Sequence, residues 1–142
     1  MKVLVVANRT AESDELLDAL TRRAQEGPVS FTLLVPATPH GVAWAADMHA
    51  GSDEAEAHMR RAVERLRAAG LQVEGRVGDP DPVAAVEDVV NFDTFDEAIV
   101  STLPVHLSKW LKLDLPHRVE RATGLPVTHV VASEVKPAAT HG

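Results

Sequence analysis

The chain of 142 residues contains no cysteine, which excludes disulfide bonds, thiol catalysis and cysteine metal sites. It also has no glycine between Gly78 and Gly124. Loops that cradle phosphate normally need glycine, because their backbone N–H groups must approach the anion closely. No apolar run approaches the length of a membrane span, and the run Val3 to Ala7 is too short for a signal peptide. We therefore expect a soluble, cytoplasmic protein without membrane contact.

The composition is that of one globular domain with an acidic surface. Hydrophobic residues make up 45% of the chain, which is enough for a core, and the formal net charge is −7 with a pI of about 5.4. This charge argues against a nucleic-acid-binding surface. We expect one domain over residues 1–132, followed by a C-terminal tail over residues 133–142 whose composition is that of a flexible end.

The hydropathy pattern alternates between strands and helices. The strands are continuous apolar runs, typical of a parallel sheet that helices cover on both faces. The pattern predicts a doubly wound α/β fold with a five-stranded parallel sheet, and the alternating third strand is expected nearer a sheet edge. The predicted strands are Val3 to Ala7, Val29 to Val35, Leu71 to Val77, Phe95 to Ser101 and Val127 to Ala132.

Capping residues predict where the helices begin. Thr10 or Ser13 can cap the first helix, and Ser52 the second. Asp81 precedes Pro82, which suits the first position of the third helix, and Asp114 can cap the last.

Polar residues follow the first and fourth predicted strands, which are neighbours at the switch point of a doubly wound sheet. They are Asn8 and Arg9 after the first strand, and Ser101, Thr102 and His106 at the end of the fourth. These residues could form a pocket for a small anionic ligand, with Arg9 and helix N-termini supplying positive potential. Alternatively, the two hydroxyls satisfy backbone groups at the strand end.

The segment after the fourth strand is apolar. Large apolar side chains are usually buried, so we expect Leu103, Pro104, Trp110 and their apolar neighbours as far as Leu113 to fill the crevice. The alternative is an apolar ligand pocket or a protein contact anchored by Trp110.

Metal binding and nucleophilic catalysis find little support in the sequence. The cluster Asp47, His49, Asp53 and His58 has no known metal-ligand spacing. Ser101 or Ser108 could pair with His106 or His117, but nothing like Gly-x-Ser-x-Gly surrounds either serine. We therefore assign no metal ligand and no catalytic residue.

Several motifs in this order resemble the universal stress protein family over Lys2 to Ala132. The chain opens with Lys-Val-Leu-Val-Val-Ala, has a long connection before the Ser52 helix, and carries Gly78-Asp79-Pro80 before an aliphatic helix. It ends with a Thr-Gly-Leu-Pro turn before a valine-rich strand. The resemblance implies a three-layer sandwich of the kind found in adenine nucleotide alpha hydrolases.

The resemblance also bears on nucleotide binding. ATP-binding members carry a loop Gly-x2-Gly-x9-Gly-Ser/Thr after the fourth strand, whereas residues 101–116 contain no glycine, and Pro104 lacks an N–H donor. An acidic family residue would fall near Asn8. We therefore expect no cofactor and disfavour ATP, although backbone groups near Val35 could still hold adenine. The candidate binding residues are Ala7, Asn8, Arg9, Val35, Gly78, Ser101, Thr102 and Leu103.

The family resemblance further implies a homodimer formed by pairing of the fifth strands, through Val127, His129, Val130 and Val131. We therefore predict a universal-stress-type regulatory or small-ligand-binding protein. The alternatives are an adenine-nucleotide-binding stress protein that uses backbone contacts, and a hydrolase of a small substrate.

Overall fold

A five-stranded parallel sheet forms the centre of the structure, a computed structural model that describes residues 1–37, 50–104, 109–112 and 114–132. The strands lie in the order β3-β2-β1-β4-β5 and all pair in parallel. The predicted doubly wound α/β fold is therefore confirmed, as is the edge position of the third strand. The strands are β1 (Lys2–Val6), β2 (Ser30–Pro36), β3 (Val73–Gly78), β4 (Glu97–Thr102) and β5 (Val127–Val131). The helices are α1 (Asp14–Gln25), α2 (Ala50–Ala68), α3 (Pro82–Phe92), α4 (Lys109–Lys112) and α5 (Leu115–Thr123).

Two apolar clusters cover the two faces of the sheet. On one face, β1 and β2 contribute Val3 and Phe31 to a cluster with residues of α1 and α2, including Leu20 and Leu66. On the other face, Leu4 lies in a cluster with residues of α3 and α5. Because strand side chains alternate between faces, β1 supplies both clusters and is buried on each side.

Three of the predicted helix starts are as expected. The Ser13 hydroxyl accepts a hydrogen bond from the Leu16 N–H and caps α1. Asp81 caps α3 by accepting from the Val83 N–H, with Pro82 in the first turn. Asp114 occupies the N-cap position of α5, but its carboxylate makes no cap hydrogen bond there.

The predicted start of α2 is wrong. We expected Ser52 as the N-cap, but α2 begins at Ala50, so Ser52 lies within the first helical turn. A capping residue type alone does not fix the boundary of a helix. The short helix α4 also lies in a segment for which we predicted no helix.

Ion pairs link neighbouring elements at the amino end of the sheet. The Arg23 guanidinium is 2.9 Å from the Glu97 carboxylate and joins α1 to β4. The Lys2 ammonium pairs with Asp93 and holds the pKa of that carboxyl below its ordinary value, with help from the Thr94 N–H. These contacts belong to the edge opposite the one where parallel α/β sheets bind ligands.

No helix within the described ranges is both long enough and apolar enough to cross a membrane.

Thr32 is a weak point of the core. Its side chain in β2 is 1% exposed. Among the buried side-chain oxygen and nitrogen atoms of the described residues, its Oγ1 is the one that lacks a hydrogen-bond partner. A buried hydroxyl without a partner loses its hydration and gains nothing in return.

We predict that Thr32→Val raises the free energy of unfolding by about 1 kcal/mol, because valine has nearly the same shape and no hydroxyl to desolvate. Urea denaturation measures this as a higher midpoint with an unchanged slope. Thr10→Val is the matched control, since the Thr10 hydroxyl lies 2.6 Å from Ser101 Oγ and its removal should destabilise the fold. A lower midpoint for Thr32→Val would contradict the prediction.

Candidate ligand-binding site

A cleft of about 390 Å³ opens beside the turn that follows β1. One wall is this turn, and the other is the first half of α2. The volume lies toward the lower end of the range typical of small-molecule sites. The lining residues are Asn8, Arg9, Glu54, Ala55, Ala57, His58 and Arg61.

A basic stripe on α2 attaches the helix to the segment after β1. His58, Arg61 and Arg65 have the i, i+3, i+7 spacing that places side chains on one helix face. The His58 Nε2 is 2.6 Å from the Asn8 carbonyl oxygen, and Nδ1 is 2.8 Å from Glu12 Oε2. Arg65 completes the attachment by donating to the Glu12 carbonyl. The stripe therefore fixes the distance between the two walls of the cleft.

The charge around the cleft favours an anion. Arg9 is exposed, and the Arg61 side chain is 59% exposed with its Nε 3.5 Å from Glu12 Oε2. Exposed ion pairs of this kind are worth little, so the Arg61 guanidinium can turn to a ligand at small cost. Glu54 is the acidic side chain among the lining residues.

The hydroxyls predicted to face a ligand are buried and already hydrogen-bonded. Ser101 Oγ is 2.6 Å from Thr10 Oγ1. Thr102 Oγ1 donates to the Leu103 carbonyl at 2.9 Å and lies 2.7 Å from His129 Nε2. Neither serine nor threonine is among the residues that line the cleft. This arrangement matches the alternative in which the hydroxyls satisfy groups at the strand end.

Of the eight candidate binding residues, Asn8 and Arg9 line the cleft. Ala7 and Val35 are fully buried in the core, and Leu103 is buried as well. Gly78 has a packing role, because a Cβ there would lie 2.8 Å from the Ala85 Cβ.

The structure describes residues 103–104 and 109–112 of the apolar segment after β4, and Trp110 is the aromatic residue of that segment. Trp110 in α4 is half-buried and packs against the cluster formed by β4, α3 and α5. This packing agrees with our expectation for Trp110 itself. His106 and Ser108 lie outside the described residues.

Of the other residues considered for a metal site or for catalysis, some lie within the described part of the chain and some do not. Asp47 and His49 lie outside the described residues, and within the described part of the chain no three histidine or acidic side chains are grouped to hold a metal. His117 is exposed on α5, with Nδ1 3.2 Å from Asp114.

Sequence analysis missed the contribution of α2. Arg61 was not among the candidate binding residues, and His58 was considered only for a metal. The i, i+3, i+7 spacing of the three basic residues was the available signal. Their acceptors, Glu12 and Asp14, lie about 50 positions earlier, so the spacing alone did not identify what the stripe contacts.

His129 connects β5 to the end of β4. Because the single Thr102 hydroxyl proton goes to the Leu103 carbonyl, Thr102 accepts from His129 and Nε2 carries a hydrogen. Burial lowers the pKa of His129 from its ordinary value, since desolvation disfavours the charged ring.

No protein-family model and no curated protein matches the sequence, but several solved structures match the fold. A universal stress protein in complex with cAMP has 22% identity and a TM-score of 0.57, and the match covers 94% of this chain and 98% of that one. A universal stress protein family protein from Arabidopsis thaliana with AMP bound has 14% identity and a TM-score of 0.64, with 93% and 92% covered. A third, from Archaeoglobus fulgidus in complex with dAMP, has 15% identity and a TM-score of 0.60, with 92% and 97% covered. The chain therefore has the universal stress protein fold that its motifs predicted.

We predict that His129 makes the protein less stable in acid. Because its pKa is lowered in the native state, the unfolded chain binds the proton more readily, so this contribution to stability is complete above the ordinary histidine pKa of about 6.5 and is lost as the pH falls below it. The difference in unfolding free energy between about pH 7.5 and about pH 5 should be smaller in His129→Gln than in the native chain. Equal differences from urea denaturation would contradict the prediction.

Proposed function

We propose that this protein is a universal-stress-type regulatory protein that binds an adenine mononucleotide, linear or cyclic, in the cleft after β1. The observation that carries the proposal is the cationic cleft itself, with Arg9 and Arg61 at the carboxyl edge of the sheet. Parallel α/β sheets bind ligands at this edge. The cAMP, dAMP and AMP held by structures of the same fold are consistent with it.

The hydrogen-bond donors at the carboxyl edge of the sheet determine how many phosphate groups the proposed ligand can carry. A triphosphate needs many closely spaced N–H groups, and residues 101–116 contain no glycine that would let backbone amides approach it. A single phosphate needs only one or two guanidinium groups, which bind it through charge-assisted hydrogen bonds. The cleft therefore suits a mononucleotide better than ATP.

The alanines of α2 provide an apolar surface for the base. Ala55 and Ala57 line the cleft, and their short side chains leave room for a flat ring. Recognition through backbone groups near Val35 has less support, because β2 pairs with a strand on each side. The Ala37 N–H just beyond β2 is also engaged, since it donates to the Gly78 carbonyl.

We predict that AMP and cAMP bind more tightly than ATP with Mg²⁺, and that Arg9→Met or Arg61→Met weakens AMP binding about tenfold or more, as expected for the loss of a hydrogen bond to a charged group. Isothermal titration measures both effects.

Arg60→Met is the matched control for these variants. It removes the same charge from the neighbouring position of α2, but Arg60 is 73% exposed, pairs with Glu56 and does not line the cleft. Equal loss of affinity in Arg60→Met and Arg61→Met would contradict a specific role for the cleft, and tight binding of ATP would contradict the preference for one phosphate.

We also propose that the protein forms a homodimer through β5. This strand lies at the edge of the sheet, Thr128 is exposed, and Val131 is 49% exposed. An apolar edge strand with unpaired backbone groups favours association with a second strand. A second copy of β5 would supply both the backbone partners and an apolar surface.

We predict that Val131→Lys dissociates this dimer, because a charged side chain would have to be buried against its own copy. Val131 is a better site for the change than Val130, which packs partly against the core. Light scattering during gel filtration gives the mass. Phe92→Lys is the control, since Phe92 is 85% exposed on α3 and lies outside β5. A native chain that is monomeric, or a Val131→Lys variant that stays dimeric, would contradict the proposal.

A further inference from the structure

The ring of His58 lies between two oxygen acceptors. Its Nε2 is 2.6 Å from the Asn8 carbonyl oxygen, and its Nδ1 is 2.8 Å from Glu12 Oε2. A carbonyl oxygen and an ionised carboxylate only accept hydrogen bonds, so both ring nitrogens must donate. A neutral histidine has a single N–H, whereas the imidazolium has two. The geometry is therefore that of a doubly protonated ring.

The charged groups around His58 come from both walls of the cleft. Glu12 faces the ring from the segment after β1, and Arg9 lies in the same turn. On α2, Arg61 and Glu54 line the same cleft, three positions after and four positions before His58. Of these charged residues, Glu12 is the one whose contact with the ring the structure describes. Its Oε2 also lies 3.5 Å from Arg61 Nε. His58 and Arg61 therefore share a single carboxylate oxygen.

We propose that His58 is a positioning residue of the cleft and that its second proton controls how strongly the cleft binds an anionic nucleotide. The inference rests on the proposed function for its ligand. With both protons present, His58 joins α2 to the turn that carries Asn8 and Arg9, and neutralises Glu12. The side chains of His58 and Glu12 are 19% and 30% exposed, so water only partly screens this contact.

Loss of the proton from Nδ1 changes the cleft in two ways. The nitrogen lone pair then faces a carboxylate oxygen at 2.8 Å, and their repulsion loosens the contact between α2 and the turn. The negative charge of Glu12 is also left without its nearer partner, so it repels a bound phosphate and competes with it for the Arg61 guanidinium. Both effects lower the affinity for an anion as the pH rises.

The probe for this proposal is cAMP, because its phosphodiester keeps one negative charge throughout the range in which histidines titrate. Isothermal titration at about pH 5.5 and about pH 8.0 brackets that range. In the native chain the dissociation constant should rise about two- to fivefold between these values, the size expected for one partly exposed ion pair. In His58→Gln the change should disappear, with affinity near that of the native chain at the higher pH.

Two further variants separate this role from a general effect of pH. His117→Gln removes an exposed histidine of α5 that pairs with Asp114, and it should keep the native pH dependence. Glu12→Gln retains the size of the side chain but removes the shared carboxylate, so it should lose most of the dependence and serves as a second test if His58→Gln does not fold. A native chain without pH dependence, or a His58→Gln variant that keeps it, would overturn the proposal.

The ring nitrogens can also be observed without any ligand. In a ¹⁵N spectrum at low pH, His58, identified by its loss in His58→Gln, should show two protonated nitrogens, and the amide signals of Asn8 and Glu12 should shift as one proton leaves. A ring with one proton throughout the range would overturn the proposal. Absence of cAMP and AMP binding at every pH would overturn the proposed function and with it the control of affinity. A shift of the Asn8 and Glu12 amide signals that is present in the native chain and lost in His58→Gln would still show, in the same sample, that the contact itself is correctly assigned.

Discussion

The burial of β1 on both faces is the constraint on which the rest of the structure depends. Residues 3–7 have no exposed surface, and the strand lies between β2 and β4 at the centre of the sheet. Side chains buried on both faces of a sheet are mostly apolar, and residues 3–7 are all apolar, so the first polar residue at the carboxyl end of β1 is Asn8. The chemistry of the carboxyl edge therefore starts in the turn after β1, and other elements must fix the position of that turn.

Two sets of contacts fix this turn, and they also determine what remains for a ligand. The Thr10 hydroxyl bonds to Ser101 in β4, and the basic stripe of α2 bonds to the Asn8 carbonyl and to Glu12. The hydroxyls are thereby used within the protein, whereas the guanidinium groups of Arg9 and Arg61 remain at the rim. The edge can thus offer side-chain charge to a ligand, but few free hydroxyls.

The sequence was sufficient to predict the fold and two residues that line the cleft. Continuous apolar strands and amphipathic helices report burial directly, and polar residues after a central strand must lie at the ligand-binding edge, which identified Asn8 and Arg9. The partners of Ser101 and Thr102 were not predictable, because Thr10 and His129 are 91 and 27 positions away. Such pairs depend on side-chain placement within the folded edge, which hydropathy patterns do not report.

A site built from side chains on a helix differs physically from one built from loop amides. Backbone amides hold phosphate with fixed dipoles, which neither titrate nor move to another partner. Arg61 shares the carboxylate of Glu12 with His58, so its availability to a ligand depends on the state of its neighbours. In a chain of net charge −7, the proposed anion binding would also depend on these few local cations, and salt screens exposed charges. In the proposed site, charged side chains of a helix stand where a glycine-rich loop would offer amides, which favours weaker binding that responds to conditions.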